Sequence, residues 1–271
     1  MKKSLKDIKH LVIDMDGVLY VGNQPMACLR ELIEFLRARG IGFMLATNNS
    51  GLTPAQYSAK LAKMGAEVAP QEIITSGTAT AEWLARKYPP GTRVHVFGED
   101  SLRQAMTDVG FALVDDDAEV VAASIDWGMN FEKIKRAVLL IRKGAFFVAT
   151  NLDPTRPTEE GLIPGTGAII APIAIGAERA PVAIGKPEPT MFELAMAKLG
   201  ATPDTTATLG DRIDTDMLGG ARAGCSTILV LSGSTAREEA EAYGPDFLFD
   251  DIAHLLGAWE EQLANRTVLR N

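Results

Sequence analysis

Short apolar runs alternate with amphipathic stretches along this chain. His10 to Ile13 is an apolar run too short for a helix and is soon followed by Gly17, which predicts a buried strand. Leu29, Leu32, Ile33 and Leu36 recur at helical spacing, with Gly40 placed to end the helix. Ile41 to Ala46 predicts a second buried strand. Thr53 and Pro54 read as an N-cap followed by proline at the first helical position, and Tyr57, Leu61 and Met64 carry that helix to Gly65. Such alternation implies a parallel sheet with helical crossovers. The rhythm then starts afresh, with strands over 93–97, 120–125 and 145–149 and helices over 101–109 and 131–142. From Val182 the first rhythm returns: a helix over 190–199, a strand over 206–209, a helix to Ala223 and a strand over 227–231. The pattern predicts one α/β domain interrupted by another, with crossings near residues 80 and 183.

Composition narrows the function. The chain has 271 residues, 46% of them hydrophobic and 23% charged, enough to bury sizeable cores without covalent staples. Its net charge of −8 disfavours nucleic acid and anionic membranes as partners, so an anionic small molecule would need a local positive site. Cys28 and Cys225 lie far apart without metal-ligand spacing, as expected of small buried hydrophobes in a reducing compartment. The basic segment 1–9 lacks the long apolar run of a signal peptide. The most apolar region, 165–185, is broken by Pro172, Glu178, Arg179 and Pro181 and is not expected to span a membrane. A cytoplasmic protein is the expectation.

Four segments carry candidate chemistry. Asp14-Met15-Asp16-Gly17 ends the first strand, and alternation along a strand sends Asp14 and Asp16 to one side. A turn would use the same residue types. An apolar strand that stops abruptly at two acids favours a ligand site, because open α/β sheets bind ligands at strand carboxyl ends. Paired carboxylates there repel unless a cation intervenes. Thr47-Asn48-Asn49-Ser50 follows the second strand and offers hydroxyl and amide donors for phosphate oxygens, or equally a polar loop that caps a helix. Lys186 stands in the stiff frame Gly185-Lys186-Pro187-Glu188-Pro189, able to aim an ammonium at a dianion, although most lysines are solvated surface. Gly210-Asp211-Arg212-Ile213-Asp214-Thr215-Asp216 follows another strand and fits a hard-cation site, with Asp214 assigned to the helix dipole.

In their order, these segments resemble the motifs of the haloacid dehalogenase superfamily of aspartate-nucleophile phosphohydrolases. The long insertion between Thr47 and Lys186, with the strings Thr47-Asn48-Asn49-Ser50, Thr150-Asn151-Leu152-Asp153 and Gly185-Lys186-Pro187, is similar to the α/β cap of the nitrophenylphosphatase, NagD-like branch. The resemblance implies an α/β fold with a Rossmann-like, doubly wound parallel core (1–80 and 184–271) and a smaller inserted α/β cap (81–183). It implies a phosphatase in which Asp14 is the nucleophile and Asp16 the general acid and base. Mg²⁺ would be held by Asp14, Asp211 and the main-chain carbonyl of Asp16, with Asp216 behind them. Thr47 and Lys186 would bind the phosphoryl group, assisted by Asn48 and Asn49. The substrate would be a small phosphorylated metabolite, with p-nitrophenyl phosphate as a generic one. Some relatives pair through the cap, which leaves a homodimer open. A phosphomutase or phosphotransferase would use the same aspartate, and a non-catalytic phosphoryl-binding module would have lost Asp14, Asp16 or Lys186, all present here.

The other conspicuous residues are assigned structural roles. His10, His95 and His254 are scattered. Trp83, Trp127 and Trp259 are expected to pack. Asp115-Asp116-Asp117 reads as a solvated loop. The segment Thr150 to Asp153 reads either as a reach toward substrate or as a packed connection.

Overall fold

The structure, a computed structural model, describes residues 4–158 and 161–268. The chain divides into two compact units, one of Met1–Ala46, Ala55–Ile74 and Pro187–Asn271, the other of Thr47–Pro54 and Thr75–Lys186.

The first unit is built on a six-stranded sheet in the order Phe247–Phe249, Ser226–Val230, Thr206–Gly210, His10–Ile13, Gly42–Thr47 and Ile73–Thr75. His10–Ile13 lies at its centre, parallel to both neighbours, with Val12 opposite Thr208 on one side and Met44 on the other. A central parallel strand is covered on both faces, which is why these residues read as an unbroken apolar run rather than an alternating one. The helix Leu29–Ala38 buries Leu29, Leu32, Ile33, Phe35 and Leu36 while Arg30, Glu31 and Glu34 face water. Burying each leucine contributes roughly 1.5–3 kcal/mol. Phe35 also meets Trp259 of the helix Ile252–Val268, with ring centroids 5.8 Å apart.

The second unit repeats the plan with a five-stranded parallel sheet in the order Val182–Ala183, Phe146–Ala149, Val120–Ala123, Arg93–Phe97 and Ala112–Leu113. The helices Phe131–Arg142 and Thr166–Ala177 close one core over Phe97, Val121, Phe147 and Ile173. A hairpin pairs Thr155–Thr158 with Gly161–Pro164.

The fold class is α/β, and the strands and helices with strong periodicity stand where the sequence predicts them. Three features differ. The helix expected between the strand ending at Gly210 and Ala223 opens as a widened π-type turn, Ile213–Met217, before tightening over Leu218–Arg222. Trp127 does not pack into a core: it is 57% exposed, with the Arg156 guanidinium 5.4 Å from its ring centre. Cys28 is only half-buried, in left-handed backbone at φ 64° just before its helix, whereas Cys225 is buried beside Met196. Among the described residues no helix is long and apolar enough to cross a membrane.

Candidate active site

In the first unit, the central strand delivers Asp14, whose N–H donates to Leu209 O at 2.8 Å and so extends the parallel ladder by one residue. The chain then wraps around the carbonyl of Met15, which accepts from the N–H groups of Leu19 and Tyr20 at 2.9 and 3.3 Å. Gly17 makes this turn at φ +83°, a conformation that disfavours any side chain. Met15 is buried on the opposite side, while Asp14 and Asp16 are half-buried.

Asp211 and Asp216 approach from the neighbouring strand end and the π-type turn, and both are buried. One carboxylate oxygen from each of Asp14, Asp211 and Asp216 lies within 4.8 Å of the others. At that spacing, two unit charges in an effective dielectric of about 20 repel by about 3 kcal/mol. Backbone donors hold the pair in place: Ser234 N–H donates to Asp211 Oδ2 at 2.7 Å and Arg212 N–H to Asp216 Oδ2 at 3.3 Å. Asp214 takes no part and forms a two-pronged pair with the Arg212 guanidinium at 3.0 and 2.7 Å.

Three glycines let main chain close on these acids. A Cβ added at Gly17 would lie 2.6 Å from Asp211 Oδ2, at Gly233 2.0 Å from the same atom, and at Gly210 2.2 Å from Asp216 Cβ. The oxygen-only donor set, its crowding and this cradle all fit a hard divalent cation.

The segment Ser232-Gly233-Ser234 carries no motif that marks it in the sequence. It follows the strand Ser226–Val230 as the other loops follow theirs, and Ser232 Oγ donates to Gly17 O at 2.7 Å. Its position after an apolar strand was the available clue. Tyr20 likewise has no mark in the sequence. It is fully buried, and Oη makes no hydrogen bond among the described residues. Burial pushes its phenol above the ordinary value, and Asp16, Tyr57 and Asp14 push the same way, so the ring stays neutral beside the acids. Lys60 Nζ sits 3.8 Å from its ring centre.

Thr47, Asn48, Asn49 and Lys186 belong to the second unit. Thr47 is buried, and its Oγ1 accepts the Asn49 N–H at 3.0 Å; Asn49 Oδ1 accepts the Gly51 N–H at 3.0 Å. These local bonds shape the loop that follows the strand. Lys186 is 4% exposed, far from the solvated state usual for lysine. Asn48 joins the loop to Lys186 and Asp153, and Ser50, Ser124 and Thr150 form a hydroxyl cluster beneath. Thr150 and Asn151 are buried within this network.

Comparison with known proteins agrees with this chemistry. A model of the family described as haloacid dehalogenase-like hydrolase matches residues 11–112, and a second, HAD-hydrolase-like model matches residues 183–255. The acid sugar phosphatase of Staphylococcus aureus is 34% identical over 260 residues, spanning 95% of this chain and all of the relative. The chain belongs to the haloacid dehalogenase-like hydrolase family and is a phosphatase of that family. Within it the chain falls in the NagD-like branch. A crystal structure of 4-nitrophenylphosphatase from Thermotoga maritima matches with a TM-score of 0.88 at 33% identity, covering 93% of this chain and 97% of that one. NagD from E. coli K-12 matches at 0.85 and 30%, covering 91% and 97%.

Proposed function

We propose that this phosphatase hydrolyses small phosphate monoesters through an aspartyl-phosphate formed on Asp14. The observation that carries the reading is the gathering of Asp14, Asp211 and Asp216 at strand ends, three carboxylates that need a cation, beside the strand-ending pair Asp14 and Asp16. Mg²⁺ would be held by the carboxylates of Asp14 and Asp211 and the main-chain carbonyl of Asp16, with Asp216 behind them. When bound, it supplies positive charge against a phosphate dianion.

An Asp14 oxygen attacks phosphorus, and the ester oxygen departs with a proton from Asp16. Water then attacks the phosphorus of the acyl phosphate and gives its proton to Asp16, releasing orthophosphate and the free Asp14 carboxylate. One carboxyl group thereby serves as acid and then base. A carboxylate nearing a phosphate oxyanion at ~4 Å meets about 4 kcal/mol of repulsion in an effective dielectric of about 20. The Lys186 ammonium and Thr47 hydroxyl offset that repulsion by binding the phosphoryl oxygens, with the Asn48 and Asn49 segment assisting. The second unit corresponds to the cap, where specificity is set. The names of the acid sugar phosphatase and 4-nitrophenylphosphatase relatives favour a small phosphorylated metabolite, with p-nitrophenyl phosphate as a generic substrate. Pairing into a homodimer through the second unit completes the reading, supported by the exposed Phe131, Leu162 and Ile175 on its surface.

The test is release of p-nitrophenol with and without Mg²⁺. Activity is expected to vanish with chelator and return with the metal. Asp14→Asn is expected to lower kcat by about 10³-fold or more while leaving the unfolding transition in place. A well-folded variant with near-normal turnover would remove Asp14 as the nucleophile.

A further inference from the structure

Every side-chain hydrogen of Asn48 is committed. Its Oδ1 accepts the Lys186 N–H at 2.8 Å, while Nδ2 donates to Lys186 O at 2.8 Å and to Asp153 Oδ2 at 3.0 Å. One carboxamide thus bonds both the N–H and the C=O of a single residue, the exchange that a neighbouring strand residue would otherwise supply. The need for it follows from the sequence. The strand Val182–Ala183 ends just before this point, and its ladder runs out at Ile184 N–H to Ala149 O and Gly185 N–H to Thr150 O. The next residue after Lys186 is Pro187, which has no N–H to offer.

The rest of the neighbourhood holds Asn48 in turn. Its main-chain carbonyl accepts from Ser76 Oγ at 2.6 Å and Asn151 Nδ2 at 2.8 Å, and Asn151 Oδ1 accepts the Asp153 N–H at 3.1 Å. Asp153, as a carboxylate, only accepts, so it fixes which end of the Asn48 amide faces it and leaves Oδ1 for Lys186. Gly185 keeps the approach open, since a Cβ there would lie 2.6 Å from Asn48 Oδ1.

We infer that Asn48 is a positioning residue: its carboxamide, oriented by Asp153, fixes the main chain of Lys186 and so aims the ammonium, rather than itself gripping the phosphoryl group. The inference rests on the proposed role of Lys186 in binding the phosphoryl group and specifies how Asn48 assists it.

Asn48→Asp keeps an acceptor for the Lys186 N–H, loses both donors, and sets a carboxylate against Asp153. Adding Asp153→Asn returns a donor to that contact, so the double variant recovers two of the three bonds. The measurement is competitive inhibition of p-nitrophenyl phosphate hydrolysis by orthophosphate, with Mg²⁺ present, together with kcat and KM. Asn48→Asp is expected to weaken orthophosphate binding and kcat/KM by about 10- to 100-fold, the scale on which a displaced positioning group acts. The double variant, which still lacks the donor to Lys186 O, is expected to regain part of that loss. Ser124→Ala, in the adjoining hydroxyl cluster without a bond to Lys186, is expected to lower Tm and leave the inhibition constant unchanged. Should Asn48→Asp fail to fold, Asn48→Ala, which removes the three bonds without adding charge, serves for the same readout. An unchanged orthophosphate constant in the Asn48 variants, or a double variant no better than Asn48→Asp, would overturn the inference. Lys186→Ala separates the two levels. If it loses orthophosphate binding while the Asn48 variants do not, only the positioning role fails; if it binds orthophosphate normally, the assignment of Lys186 fails and the inference with it.

Discussion

At the scale of single residues, the candidate metal site depends as much on absent side chains as on present ones. Asp211 and Asp216 are held by the N–H groups of Ser234 and Arg212, and Gly17, Gly210 and Gly233 leave them the space that an added Cβ would take. Gly210 gives the cleanest test, because its obstacle would be the Cβ of Asp216 at 2.2 Å, an atom with little freedom to retreat. Gly210→Ala is expected to cost about 1–3 kcal/mol of stability through overpacking, and to raise the Mg²⁺ concentration needed for half-maximal activity. Denaturant melts and metal titrations of the variant measure both; normal values would mean the loop yields freely. Asp14, Asp16 and Asp211 were legible in the sequence because acids that interrupt apolar strands stand out. Ser234 was not, because it contributes a main-chain N–H that any residue would supply. The role of Asn48 was hidden for a related reason: its partner is the backbone of a residue far away in sequence.

At the scale of elements, the strand Arg93–Phe97 carries a buried histidine. His95 Nδ1 lies 3.1 Å from Val114 O, and burial lowers its pKa below the ordinary value of 6.5, against the weaker upward pull of that backbone contact and Asp115. The unfolded chain therefore takes up a proton first as pH falls. The histidine's contribution is full above about pH 6.5 and is lost below it, by at most about 1.4 kcal/mol per pH unit. Urea unfolding of wild type and His95→Asn between pH 8 and 5 is expected to show a shallower acid-side decline in the variant; parallel declines would exclude His95 as a source. Elements with a clear period, such as Leu29–Ala38 and Phe131–Arg142, were readable from sequence because one face is apolar and the other charged. Thr166–Ala177 was not, because it is apolar on every side and contains Pro172, which argues against a helix on local grounds. Ser76–Ala85, rich in threonine and alanine with a glycine, is likewise weakly patterned, and its cap bond from Thr78 N–H to Thr75 Oγ1 at 3.1 Å is clearer than its stripe.

At the scale of the whole molecule, the second unit leaves Phe131 73%, Leu162 74% and Ile175 77% exposed, the apolar positions to which the proposed pairing appeals. The proposed homodimer predicts a mass of about twice 29.0 kDa by light scattering at micromolar concentration, and Ile175→Glu should shift it toward one chain. A monomer at all concentrations would remove pairing from the picture. The sheet order of the first unit has a different consequence, for the growing chain. The strand His10–Ile13 pairs on one side with Gly42–Thr47, close by in sequence, but on the other with Thr206–Gly210. At ordinary rates of translation, roughly 10 to 30 s separate the emergence of those two neighbours. The central strand of the first unit therefore lacks one of its two neighbours until late in synthesis, whereas every segment of the second unit has been made by Lys186.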